Sequence, residues 1–220
     1  MFVAEETLGI FPTLVFRTQA LGPEIRPLTA AAQAALTAAA GPAANGQAKA
    51  PPGPRRRSPP ALQAEPAFRG LVQSIAALAA EALRLAAFER PDCTVTALWA
   101  EAAPAAWAEP IAQAPNAHLT FVLPLRAAAG FGVLLTDPRP QAQVIVPMVS
   151  APNRLNARQA TLALEPGQLL LLPGWQPHAV QGGGGTGEIL LLRGQTLFRN
   201  MAEKVSPPMW TGMTANRNRT

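Results

Sequence analysis

His118 and His178 are the only histidines in 220 residues, and Cys93 is the only cysteine. A lone thiol forms no internal disulfide and no cysteine-rich zinc cluster, so metal chemistry would have to rest on imidazole and carboxylate groups. His178 follows the sequence PGWQP and opens an apolar strand, while His118 lies in PNAHLTF. Two histidines in such different contexts do not support a Ser/His/Asp set. Asp137, in LLTDPRP, is a carboxylate at a strand end; Asp before Pro is also a common turn former. Trp175 stands beside His178 as a pocket-lining candidate or as a core filler, the commoner fate of a strand tryptophan. The run QGGGGTG at 181–187 has no P-loop lysine and falls between two strands, so it reads as a hairpin loop.

These residues sit in the second half of the chain, where short apolar segments alternate with Pro, Gly and Asn. Strands are predicted at 93–99, 117–125, 131–136, 142–149, 160–164, 168–172 and 187–196. Even spacing of short strands with no helices between them points to a jelly roll or sandwich and away from a parallel α/β sheet. The first half differs. IFPTLVF at 10–16 reads as a strand, LTAAAQAALTAAA at 28–40 as an alanine-rich helix, and 64–88 as a long amphipathic helix with Glu65 near its start and Arg84 near its end. Between the two helices, GPAANGQAKAPPGPRRRSPP at 41–60 has no hydrophobic period and many prolines, and is expected to be a flexible loop. A disordered tail is expected from about 206 to 220, so that 1–220 forms a single domain with two irregular appendages.

Apolar residues make up 49% of the chain and charged residues 14%, enough to bury one core. The formal net charge is +5, but Lys49, Arg55, Arg56, Arg57, Arg217 and Arg219 supply six positive charges from the loop and tail, leaving about −1 elsewhere. A basic nucleic-acid face is therefore not expected on the folded part. The N-terminal MFVAEETLGIFP carries two glutamates where a secretion signal needs positive charge, and no apolar run of about 18 residues follows. The expectation is a cytoplasmic protein without a membrane partner.

Three segments together resemble a family of bacterial 2-oxoglutarate/Fe(II) oxygenases: PNAHLTFVLPL at 115–125, LLTDPRP at 134–140 and LEPGQLLLLPGWQPHAV at 164–180. Weaker similarity extends to IFPTLVF and to PALQAEPAFRGLVQSI at 60–75. The resemblance implies a double-stranded β-helix, or jelly roll, with the N-terminal helices packed against it. It also implies Fe(II) held by two histidines and one carboxylate, with open positions for 2-oxoglutarate and O2. The family's His-x-His or His-x-Asp step precedes the PN dipeptide, which here places Ala112 and Ala114 where two ligands would stand. A methyl group donates no lone pair. His178 falls at the distal ligand and is the remnant of the set, with Asp137 a weaker metal candidate; Asn116 joins Trp175 as a pocket-lining candidate.

The family also carries an arginine for the far carboxylate of 2-oxoglutarate, about ten residues after the distal histidine on the next strand. Glu188 takes that place and would repel a dicarboxylate. Arg193 shares the strand but has opposite parity, and is expected to meet solvent or a surface carboxylate. His118 shares parity with Ala112 and Ala114 but lies about 13 Å beyond Ala114 in an extended strand, too far for one metal.

That leaves three readings of function. The first is a pseudo-oxygenase that binds an unknown small molecule or protein without turnover, holding no cofactor tightly. The second is an active Fe(II)/2-oxoglutarate hydroxylase with unusual ligands such as His178 and Asp137. The third is an anionic partner bound through the basic loop, with salt-sensitive affinity. Substrate, pathway and oligomeric state are not encoded in any motif.

Overall fold

The computed structural model describes residues 13–19, 21–22, 24–40, 55–89, 91–139, 150–151 and 156–199. The strand expected at 142–149, the tail at 206–220 and the part of the loop at 41–54 lie outside the described residues. Two helices precede most of the strands: α1 at Ile25–Ala39 and α2 at Arg69–Leu85, with 3-10 turns at Leu62–Ala64 and Pro66–Phe68 leading into α2. Helix α1 begins earlier than its alanine run, because Pro27 falls in the first turn, where a missing N–H leaves no intrahelical bond unmade. The long helix expected from residue 64 becomes regular only at Arg69, after Pro66. It ends through Ala87, a non-glycine residue at φ 59°, with Phe88 N–H donating to Leu83 O at 3.0 Å.

The strands are β1 (Phe16–Gln19), β2 (Arg56–Arg57), β3 (Cys93–Pro104), β4 (Leu119–Arg126), β5 (Gly132–Thr136), β6 (Gln159–Ala163), β7 (Gln168–Pro173), β8 (His178–Gln181) and β9 (Glu188–Phe198). They form a six-stranded sheet in the order β1-β7-β4-β9-β3-β2 and a three-stranded sheet in the order β6-β5-β8, with antiparallel pairing throughout. Two isolated bridges, Ala108 to Gln181 and Ala112 to His178, lay the crossing after β3 along β8 as an irregular fourth member of the smaller sheet. This is the jelly roll with helices on one face.

The large sheet is buried on both faces, which explains why β7 and β9 read as unbroken leucine runs instead of alternating ones. Leu190 and Leu192 join the layer under the helices, with Leu98, Phe121, Leu123, Ile75 and Leu83. Ile189 and Leu191 face the opposite way, into the layer between the sheets with Val122, Leu170, Val133 and Val180. The parity of β9 therefore fixes which of its polar residues enter the jelly roll.

Of the segment expected to be flexible, 41–60, the described residues 55–60 hold defined partners. Arg56 and Arg57 pair with Ala102 and Glu101 at the edge of β3, and Ser58 exchanges backbone and side-chain bonds with Ala100 at 3.0 Å. Local composition forecast a loop there. The edge of β3 overrides it by offering unpaired backbone groups and two interior carboxylates, Glu101 and, on the crossing that follows, Glu109.

Candidate functional site

Arg193 follows Ile189 and Leu191 on the inward face of β9 and is 7% exposed. Across the sheet it stands opposite Trp99 on β3 and Val122 on β4. The surface position expected for it is overturned, since inward parity carries it into the space between the sheets. A buried guanidinium requires carboxylate partners. Its Nη1 donates to both carboxylate oxygens of Glu109, at 2.8 and 2.9 Å, and lies 3.6 Å from Glu101. Glu101 is fully buried, and Trp99 Nε1 donates to it at 3.3 Å.

Arg55 closes the group from the edge strand. Its Nε donates to Glu101 and its Nη2 reaches Glu109 at 3.3 Å, while its guanidinium lies 4.8 Å from the Trp107 ring centre. Arg57 stacks 4.0 Å over Trp99. Each glutamate is thus shared by two arginines. Burial alone would raise the Glu109 carboxyl, but the charge and hydrogen bonds of Arg193, with help from Val180 N–H and Arg55, hold it below its ordinary value.

His178 faces the same interior, one pair from Val180 on β8, and is 3% exposed. Its Nδ1 lies 2.9 Å from Gln176 O. Burial disfavours the imidazolium and Arg193 adds to that, so the pKa falls below 6.5 despite the Gln176 carbonyl and Glu109. Gln176, itself buried, donates to Thr136 O at 2.7 Å and ties the start of β8 to the end of β5.

Ala112 lies directly opposite His178, joined by N–H to O bonds of 2.9 and 3.0 Å in the two directions. Ala114 N–H donates to Gly174 O at 2.8 Å. A Cβ on Gly174 would collide with the carbonyls of Ala114 and Ala117, so this glycine lets the 112–118 segment lie against the β7–β8 turn. Ala112, exposed at the edge of the smaller sheet, is thus the cross-strand partner of the buried histidine, and Ala114 lies two residues further on against the β7–β8 turn.

Asp137 adopts the turn-former role: its carboxylate accepts from Arg139 N–H at 3.0 Å and from the Arg139 side chain at 2.6 to 3.2 Å. His118 accepts the Phe198 N–H on Nδ1 at 3.0 Å and packs its ring 4.1 Å from Phe198, a fold-closing contact. Asn116 is exposed in the turn before β4, and Trp175 is 52% exposed, so neither lines the interior around His178.

The assignment of Glu188 to the co-substrate position is also corrected. Even-numbered residues of β9 face away from the jelly-roll interior, and Glu188 pairs at the surface with Arg56 and, at 3.6 Å, with Arg126. The inward cation of that strand is Arg193, fifteen residues after His178. Sequence reasoning missed Glu101, Glu109 and Arg55 as site residues. The one available signal was a glutamate at 101 within an apolar strand, since a buried carboxylate demands a cation nearby. A cavity of about 560 Å3, lined in part by Arg17, Phe131 and Glu165, opens at the far end of β5 from His178.

Sheet order and the helical layer define a double-stranded β-helix, a fold the chain shares with solved structures of 2-oxoglutarate/Fe(II) oxygenases. Similar solved structures include SnoK, a non-heme alpha ketoglutarate dependent carbocyclase from nogalamycin biosynthesis, at 14% identity and TM-score 0.59 over 89% of this chain and 87% of that one. SnoN, an epimerase from the same biosynthesis, aligns at 13% identity and TM-score 0.57 over 84% and 78%. HygX from Streptomyces hygroscopicus, with nickel and 2-oxoglutarate bound, aligns at 11% identity and TM-score 0.53 over 84% and 82%. No protein-family model matches the sequence, and neither does any curated protein.

The residues beside His178 do not fit the iron of this fold. Among the described residues no three His, Cys, Asp or Glu side chains converge as a metal-holding group. Nor do they fit 2-oxoglutarate in the usual way, because the inward arginine already holds a carboxylate of the same chain. No described helix is long and apolar enough to cross a membrane.

Proposed function

We propose that this protein is a pseudo-oxygenase: a jelly roll of the 2-oxoglutarate/Fe(II) oxygenase fold that works by binding, without metal-dependent turnover. The observation that carries the reading is the pairing of Ala112 with His178, which sets a methyl group on the face where a second ligand would have to stand. One imidazole gives a metal a single protein bond, and three are the minimum for the facial triad. The buried Arg193–Glu109 pair supports the same reading, since it uses the interior cation for architecture.

Two other readings have less support. Asp137 as a substitute ligand would have to leave its bonds to Arg139. Binding of an anionic partner through the basic loop would draw on Arg55, Arg56 and Arg57, whose charges face Glu101, Glu109, Glu188 and the Trp99 ring.

Titration of the purified protein with Mn(II), with and without 2-oxoglutarate, followed by calorimetry and thermal denaturation, tests the proposal. No saturable heat and no shift in Tm is the expected result. Tight Mn(II) binding reinforced by 2-oxoglutarate would establish a working oxygenase site and sink the reading.

A further inference from the structure

We infer that Glu109 is a built-in occupant of a carboxylate-binding position at Arg193, and that it excludes small carboxylate ligands from the jelly-roll interior. The inference rests on the pseudo-oxygenase reading and extends it, by naming the ligand class the site would take and the residue that keeps it out.

Glu109 is not a neighbour of Arg193 within the large sheet. It is delivered by the crossing after β3, whose backbone pairs with β8: Glu109 N–H donates to Val180 O at 2.9 Å, and Val180 N–H donates back to the Glu109 carboxylate at 3.3 Å. A carboxylate is thereby held by the smaller sheet and aimed at a cation on the larger one.

The engagement is one-sided. Both Glu109 oxygens take their bonds from Nη1, and Arg193 Nε, buried with the rest of a side chain that is 8% exposed, has no hydrogen-bond partner. A guanidinium offers a planar fork that a free carboxylate meets with two parallel bonds. Glu109, tethered through its backbone, leaves part of that fork unused. Once Glu109 is gone, the donor it releases, Nη1, is what a mobile acetate, succinate or 2-oxoglutarate carboxylate would capture. Arg55, which reaches Glu109 and Glu101 from the edge strand, secures the occupant in place.

The test is chemical rescue of Glu109→Ala in the full chain. Thermal denaturation is followed with added acetate, succinate or 2-oxoglutarate, and with chloride at matched ionic strength. Wild type is expected to respond equally to all four salts. The variant is expected to regain several degrees of Tm in the carboxylates alone, saturably, with an affinity at least about tenfold above that of wild type. Glu109→Ala/Arg193→Met should lose the carboxylate response, which assigns it to Arg193.

A folded Glu109→Ala indifferent to carboxylate overturns the inference. If that variant does not fold, Glu109→Ser, whose short side chain also vacates Nη1, is titrated in the same way and judged by the same criterion, with Arg193→Met in wild type checking that any carboxylate response depends on the guanidinium. Arg193-dependent carboxylate binding by wild type without metal overturns this inference alone. Binding of 2-oxoglutarate that requires Mn(II) overturns the pseudo-oxygenase reading with it.

Discussion

Ala112 and His178 form a directly opposed antiparallel pair, bonded N–H to O in both directions at 2.9 and 3.0 Å, so their Cβ atoms share one face of the smaller sheet. In such a pair the Cα atoms are about 5.5 Å apart, within reach of two imidazoles on one ion. Ala112→His combined with Ala114→Asp is therefore expected to create a metal site. Ni(II) affinity measured by calorimetry should rise by at least about tenfold over wild type, equivalent to about 1.4 kcal/mol. Unchanged affinity in a folded double variant would mean that the segment is misplaced for coordination.

Arg193 and Glu109 make a second test, one of stability. Arg193→Met leaves two buried carboxylates facing one remaining arginine, and loss of one partner of a buried pair costs about 3–5 kcal/mol. Arg193→Met/Glu109→Met removes both members and should recover a large part of that loss. Urea denaturation of the two single variants and the double variant gives the coupling energy; additive losses would show that the pair contributes little.

Acid should destabilise the fold in two stages. His178 has its folded pKa lowered from 6.5 by burial, joined by the charge of Arg193, and His118 is lowered by burial as well. The unfolded chain takes these protons first, so their contribution is whole above about pH 6.5 and is lost as pH falls through the lower folded values. Glu109 is raised by burial but lowered further by Arg193, and its contribution is present above 4.5 and lost below that. Urea midpoints measured against pH should be flat above neutrality, fall below about pH 6.5 and fall again below about pH 4.5. His118→Asn/His178→Asn should abolish the first stage and keep the second.

Helix α2 offers a reciprocal pair of backbone substitutions. A Cβ on Gly70, in the first turn, meets nothing within 4 Å, whereas Ala87 closes the helix at φ 59°. Gly70→Ala is expected to stabilise by up to about 1 kcal/mol through helix propensity. Ala87→Gly should stabilise by a similar amount by relieving the left-handed strain of a side chain. By contrast, Gly174→Ala should destabilise strongly, because its Cβ would displace the Ala114 and Ala117 carbonyls. Thermal denaturation of the three variants orders them, and a stable Gly174→Ala would refute the close packing of the 112–118 segment.

The sequence by itself determined the architecture and which side chains carry donor atoms. Turn residues at short intervals, leucine runs in β7 and β9 and the PGWQPH segment ahead of β8 specify strands buried on one or both faces, which a jelly roll supplies. The alanines at 112 and 114 were legible because an absent donor atom is a covalent fact, independent of fold. What only the tertiary structure decided is which face of β9 looks inward, and that choice exchanges the roles of Glu188 and Arg193. Parity along a strand tells that two residues face opposite ways; it does not tell which way is in when both faces are apolar. The same limit hid the partnership of Arg55 with Glu101 and Glu109, residues 46 and 54 positions away, because charge pairing across a sheet edge depends on pairing register and leaves no periodic trace in the chain.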